Sequence, residues 1–265
     1  MIDKTLRVVT FLAPNTLPVY QFAIDYMGKQ IGYQTSLVVG SSYEEVYDAD
    51  LSFICGLPYV LRTRTQPRSI EAIVAPVLQG ERYHNQAIYF SDVIVQRDSP
   101  FQIFADLRGC TWAYNEPESQ SGYGVTRYSL VQRGETRGYF REVVQAGFHQ
   151  RAIRMVCSGE IDATAIDSQV LAVELRDHPE LADQLRVIDA LGPSTIQPLT
   201  AARHLPASLK TDIQAVFATM HTDPAAHAYL DRGLIDHYVA VDDASYDDIR
   251  LMLTACEKAQ FLTLI

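Results

Sequence analysis

Hydroxyl, imidazole and carboxylate side chains recur in this chain where an apolar run gives way to a helix-like one. The densest case is Tyr114-Asn115-Glu116-Pro117-Glu118-Ser119-Gln120-Ser121-Gly122-Tyr123-Gly124. The first amides of a helix have no intrahelical acceptors, and the summed peptide dipoles leave about half a positive charge there. An oxyanion can therefore be held at such a place without a cationic side chain. Ser119 and Ser121 would add hydroxyl donors. The same residues also suit a plain structural role, with Ser121 as N-cap of its own helix and Ser119 as turn chemistry.

Two further places have the same character: Phe148-His149 after the apolar run Val143–Ala146, and Asp167-Ser168 after Ile161–Ile166. Ligands of parallel α/β sheets bind beyond the carboxyl ends of the strands, so three polar strand ends together raise the expectation of a site. Each has a local alternative. His149 reads equally as a solvated helix-start residue, and Asp167 as the N-cap of a helix over Ser168–Arg176. Tyr43, Tyr59 and Tyr89 lie at or near turns and could wall a cleft, although 15 tyrosines make chance placement the default for any one of them. Ser121, His149 and Asp167 also have the residue types of a nucleophile, base and orienter. The strained G-x-S-x-G elbow that presents a nucleophilic serine is missing, and so are H-E-x-x-H, P-loop and G-x-G-x-x-G patterns. No catalytic residue, metal or cofactor is expected.

The elements that must position these residues follow an alternating plan. Leu6–Leu12 reads as a buried strand, Val19–Ile31 as a helix, Gln34–Val39 and Leu51–Cys55 as strands with a short helix at Tyr43–Tyr47 between them, and Gly56-Leu57-Pro58-Tyr59 as a tight loop. Ile73–Leu78 and Ala87–Gln96 are further apolar runs. A unit of strand and helix then repeats: strand-like Cys110–Tyr114, Val143–Ala146 and Ile161–Ile166 are separated by helical Gly122–Gln132 and Gln150–Ser158. Such alternation implies right-handed crossovers and a mostly parallel sheet. The chain leaves this unit through Gly192-Pro193 and continues with helices at Leu209–Met220, Ala225–Arg232 and Tyr246–Lys258. Two crossings and an inserted middle unit predict two lobes, 1–92 with 193–265 and 93–192, with a cleft and a hinge.

Length and composition agree with two globular lobes, since 265 residues at 48% hydrophobic can fill two cores. A formal charge of -10 repels nucleic acid and anionic lipid, so any anion site must be local. Cys55, Cys110, Cys157 and Cys256 form no C-x-x-C pair and are expected as buried thiols. The start, Met1 to Leu12, lacks the apolar core and cleavage site of a secretory leader, and no apolar run could span a bilayer.

Several blocks together resemble the phosphate/phosphonate class of ABC-transporter solute-binding proteins, the PhnD-like group. Asp106-Leu107-Arg108-Gly109 followed by Glu118-Ser119-Gln120-Ser121-Gly122-Tyr123 is similar to that family's D-L-x-G and S-T-S-G-Y segments, and Glu160 to Ser168 to its G-E-x-D-A-A-x-x-D-S segment. Gly56-Leu57-Pro58-Tyr59, Tyr89-Phe90-Ser91, Leu205-Pro206 and Tyr246-Asp247-Asp248-Ile249-Arg250 also match. The resemblance implies a non-enzymatic protein of the type II periplasmic-binding-protein fold, whose two α/β lobes close on a phosphorus oxyanion. Ser119, Gln120 and Ser121 would cradle its oxygens, His149 and Asp167 would meet the ligand head, and Tyr43, Tyr59 and Tyr89 would line the facing lobe. A monomer working with a transporter permease in the periplasm is implied, or a cytoplasmic protein if Met1 is the native start. Gln120 departs from the family's threonine, losing a hydroxyl and adding bulk. Two other functions fit the same fold: a cytoplasmic enzyme like those of the menaquinone pathway, and a ligand-sensing domain.

Overall fold

A computed structural model describes residues 5–64 and 66–264. Met1, on which the cytoplasmic expectation turns, lies outside the described residues. The chain runs β1 (Thr5–Thr10), α1 (Leu17–Ile31), β2 (Gln34–Val39), β3 (Leu51–Phe53), α2 (Gly56–Arg62), β4 (Ile70–Leu78), β5 (Ile88–Gln96) and β6 (Thr111–Tyr114). A π-helical turn (Gln120–Gly124) leads into α3 (Val125–Gln132), followed by β7 (Glu142–Gln145), α4 (His149–Ser158), β8 (Ala163–Asp167), α5 (Ser168–Asp177) and β9 (Leu185–Thr195). The remainder is β10 (Leu199–Ala202), α6 (Ala207–Thr219), α7 (Pro224–Leu230), β11 (Ile235–Ala240) and α8 (Asp247–Lys258). Among the described residues no helix is long and apolar enough to cross a membrane.

The chain divides into two compact units, Met1–Ile88 with Thr195–Asp247 and Tyr89–Ser194 with Asp248–Ile265. It therefore passes between them three times, once more than the two crossings expected. The third passage exists because residues after Asp247 carry apolar side chains that the second unit buries: Met252, Phe261 and Leu264 all belong to its core. Arg127 and Tyr123 fix this returning segment, since Arg127 Nη1 donates to the Leu262 carbonyl at 2.8 Å and the Leu264 amide donates to Tyr123 Oη at 3.3 Å.

The first unit holds a six-stranded sheet in the order β11-β4-β10-β3-β1-β2. Its β1, β2 and β3 are parallel, while β10 runs antiparallel to both β3 and β4, and β11 antiparallel to β4. The second unit has five strands in the order β7-β6-β8-β5-β9. β6 pairs in parallel with β7 and β8, but β5 is antiparallel to β8, with Ser91 opposite Asp167. Both sheets are thus mixed rather than mostly parallel, because each receives strands that arrive from the other unit instead of through a local helical crossover.

Gly56-Leu57-Pro58-Tyr59, expected as a loop, opens α2. Proline is compatible with a first helical turn, where its missing amide hydrogen has no intrahelical acceptor to lose. The three apolar residues of that turn are all buried. The cysteines are all free, with Cys110 and Cys256 buried and Cys55 and Cys157 partly exposed, so the buried-thiol expectation applies to half of them. In the second unit an aromatic cluster forms around Trp112, which stacks on Phe140 at 4.7 Å and meets Phe104 edge-on at 5.9 Å. Phe261 is only 2% exposed within the same core. Phe261→Ala is expected to destabilise the protein by about 3–5 kcal/mol through lost apolar burial and the cavity left behind, measured as a drop in the urea midpoint. A change under about 1 kcal/mol would show that the returning segment does not seal the second unit.

Candidate functional site

In the second unit the parallel strands β6, β7 and β8 end at one edge of the sheet, and β5, being antiparallel, begins there. This arrangement gathers the π-turn after β6, the start of α4 after β7, the start of α5 after β8, and Tyr89-Phe90 at the beginning of β5. The Phe90 amide donates to Ser168 Oγ at 3.2 Å, which ties β5 to the start of α5.

Ser119, not Ser121, is the helix cap. Its Oγ accepts from the Gly122 amide at 3.1 Å, and its carbonyl accepts from Gly124 at 2.8 Å. Gly122 makes a close approach, since a Cβ there would fall 2.1 Å from the side-chain Asn115 Oδ1 and 3.3 Å from the Asn115 amide nitrogen. Ser121 is thereby freed to face α4, and its Oγ lies 3.1 Å from His149 Nε2 and 3.3 Å from Ser119 Oγ. The loop before α4 turns through Gly147 at φ +88°, a left-handed conformation that a side chain would strain. Phe148 follows as the N-cap and offers no side-chain acceptor, so the first amides of α4 are not capped by it. Phe148 itself is 62% exposed, whereas the adjacent His149 is 7% exposed, so His149 is not the solvated helix-start residue that the sequence allowed.

The hydrogen-bond directions follow from burial. Among the described residues, His149 Nδ1 is buried with no hydrogen-bond partner. A buried N–H without an acceptor is the rarer and costlier state, so the ring proton belongs on Nε2, where it donates to Ser121 Oγ. Ser121 Oγ accepts from the imidazole and Ser119 Oγ from a backbone amide, so one hydroxyl hydrogen lies between the two serines and the other is left for donation. The pair is built to present a donor. Burial pushes the His149 pKa down to about 4, so the imidazole is neutral at physiological pH.

The other expected site residues take different places. Gln120 is 1% exposed, and its Nε2 donates to Ser194 Oγ at 3.1 Å and to Met252 Sδ at 3.2 Å. Asp167 is the N-cap of α5, its Oδ1 accepting from the Gln169 and Val170 amides at 2.8 and 3.3 Å. Tyr89 is 1% exposed and belongs to the second unit, the one that holds Ser119, Ser121 and His149, whereas the resemblance put it in the other lobe. Tyr43 and Tyr59 belong to the first unit. Tyr59 lies inside α2, fully buried, where its hydroxyl donates to Asp243 at 3.0 Å and accepts from the Ala72 amide at 3.3 Å. Tyr43 packs 4.6 Å from Phe11, with the Arg62 guanidinium 4.8 Å from its ring centre. For Ser194 a signal existed in its place directly after Gly192-Pro193, where the chain was expected to leave the unit.

Residues 8–246 match the family described as ABC transporter, phosphonate, periplasmic substrate-binding protein. The chain belongs to this family. As a phosphonate-type periplasmic substrate-binding protein it is a solute-binding, non-enzymatic member of an ABC transport system. A binding protein component of an ABC phosphonate transporter from Pseudomonas aeruginosa is similar to it at 17% identity and a TM-score of 0.83, over 97% of this chain and 88% of that one. PhnD1 from Prochlorococcus marinus, in complex with methylphosphonate, is similar at 18% identity and a TM-score of 0.79, over 97% of this chain and 99% of that one. The aliphatic sulphonate binding protein SsuA from Escherichia coli is similar at 16% identity and a TM-score of 0.64, over 97% of this chain and 88% of that one. At these identities the likeness is one of fold, that of the type II periplasmic binding proteins.

The depressed pKa of His149 has a definite stability signature. Its folded value of about 4 lies below the ordinary 6.5, so its contribution is fully present above pH 6.5. It is lost as pH falls from there through 4, because the unfolded chain takes up a proton that the native ring does not. Wild-type stability should fall across that window by up to about 3 kcal/mol on this account, and His149→Gln should remove that part of the slope. Urea denaturation at pH 7, 5.5 and 4 measures both; equal slopes would exclude His149 as the titrating group.

Proposed function

We propose that this phosphonate-type binding protein captures a small phosphorus oxyanion, a phosphonate, phosphate or phosphite, at the seat formed by Ser119, Ser121 and His149 in the second unit. The observation that carries the reading is the directed chain in which His149 Nε2 and the Gly122 amide donate to the two serine oxygens, so that the serines share one hydroxyl hydrogen between them and leave the other to donate. A negatively charged oxygen is what such a donor at a helix start suits. The ligand would be delivered to a permease, and the binding protein would act as a monomer in the periplasm. Asp167 is held by two amides at the same sheet edge, where a carboxylate favours a P–OH or a ligand ammonium and disfavours a fully ionised group. The family membership and the methylphosphonate bound by the Prochlorococcus protein support the choice of phosphorus over other oxyanions.

Isothermal titration with phosphate, phosphite, methylphosphonate, 2-aminoethylphosphonate and sulfate tests the reading. Heat is expected with at least one phosphorus ligand and weaker or no heat with sulfate; silence with all four phosphorus ligands would sink it. Ser121→Ala should weaken the best ligand by about 1 to 3 kcal/mol through one lost charge-assisted hydrogen bond. Ser119→Ala should also lower stability, since that serine caps the turn. Unchanged affinity in both variants would move the site away from this turn.

A further inference from the structure

The second unit contains a cavity of about 220 Å³ that none of the seat residues lines. β5 begins at the sheet edge where Ser119, Ser121 and His149 gather and runs antiparallel to β8, so Ile94 and the following Arg97 lie toward its other end. Ile94 of β5, Leu171 and Leu175 of α5, and Leu185 and Val187 of β9 form the apolar wall there. Leu185 is well covered by the unit, whereas Val187 is 49% exposed and leaves apolar surface open to solvent.

The polar side chains of the lining are two arginines, Arg97 and Arg186. Arg97 donates from Nε to the Asp183 carbonyl at 2.9 Å and from Nη2 to the Ala182 carbonyl. Arg186 donates from Nε to the Arg97 carbonyl at 3.0 Å, from Nη2 to the Ser99 carbonyl at 2.7 Å, and from Nη1 to Gln102 Oε1 at 3.3 Å. All of these acceptors are uncharged. Asp98 and Asp183 are close in sequence, yet among the described residues neither arginine forms an ion pair with them. The bonds therefore fix two guanidiniums beside an apolar cavity without neutralising either. Arg97 Nη1, with two N–H donors, takes no acceptor among the described residues.

We propose that this cavity is a second binding site, separate from the seat, for a medium-length aliphatic carboxylate whose tail lies along Leu171, Leu175, Leu185 and Val187 and whose carboxylate meets Arg97. Charge complementarity selects the head group: a guanidinium gives a carboxylate charge-assisted, potentially bidentate hydrogen bonds, and one already held by carbonyls has little freedom left to lose. The aliphatic wall selects the tail, since it has no partner for a second polar group. Volume sets the length. A methylene is about the size of a water molecule, whose share of liquid volume is about 30 Å³, so the cavity takes roughly six to eight carbons. The assignment stands on these residues alone and does not rest on the phosphorus reading.

The test is isothermal titration of the full chain with butanoate, hexanoate, octanoate and decanoate, and with 1-octanol and octylamine as uncharged and cationic counterparts. Affinity is expected to rise about two- to fourfold per methylene up to octanoate and to level off at decanoate. Octanol and octylamine should bind at least about tenfold more weakly than octanoate. Arg97→Gln should bring octanoate to within about twofold of 1-octanol while leaving 1-octanol unchanged. Leu175→Trp, which puts an indole into the cavity, should abolish octanoate binding, and thermal melts establish that each variant is folded. Val187→Asp, at a half-exposed position, is the second block and should weaken octanoate about tenfold even if Leu175→Trp does not fold. Absence of octanoate binding to the wild type, equal affinity for octanoate and 1-octanol, or octanoate binding that survives the folded blocks overturns the proposal. So does a dimer that Val187→Asp splits, which would assign this face to a second copy of the chain.

Discussion

The hydrogen bond between His149 and Ser121 joins two helix starts that come from different strands, and most of the second unit is arranged to permit it. For the two side chains to meet at 3.1 Å, β6 and β7 must be parallel neighbours ending at one edge. The turn at Gly147 must bend left, and Gly122 must let the π-turn lie against Asn115. The bond also depends on dryness. An imidazole in water would exchange its partners freely, whereas one at 7% exposure keeps a single proton on a single nitrogen. Burial therefore converts a flexible titratable group into a fixed dipole aimed at a hydroxyl.

A formal charge of -10 does not by itself oppose the proposed anion seat. Exposed surface charges are screened over about 8 Å at physiological ionic strength, while amides and hydroxyls in direct contact act without that screening. The positive end of a helix start is built from backbone, so it is insensitive to the acidic composition elsewhere. Arg127, stacked 4.7 Å from the Tyr123 ring centre, is a buried cation directly behind the turn. Its guanidinium holds the Leu262 carbonyl, which makes it a structural group in the first instance.

The order of strands and helices was legible because apolar runs, glycine stops and helical spacing are local properties. The strands ending at Tyr114, Gln145 and Asp167 and the helices between them lie close to where periodicity put them. Strand direction was less accessible. Nothing within β5 or β10 says whether its neighbour runs with or against it, since that depends on which unit the chain comes from. The serines of the proposed seat stood out in the sequence, but the roles of Ser119 and Ser121 were exchanged, because which serine caps depends on the π-turn geometry and on Gly122 meeting Asn115. Gln120 was noticed as a departure, yet its partners lie 74 and 132 residues away, beyond any local pattern. Tyr59 shows the converse: a tyrosine that looks like a cleft wall proves to be an internal strut between Asp243 and Ala72.

The threefold passage of the chain between the units bears on how the protein is made. The first unit needs residues 195–247 to supply β10 and β11, and the second needs Met252, Phe261 and Leu264 to seal its core. On the ribosome, where residues emerge from the amino end onward, neither unit can close early. A nascent chain as far as Ser194 holds two open cores with apolar faces uncovered, and the first unit is completed only after the second has been left unfinished. Neither core can therefore be completed until residues beyond Ser194 have been made.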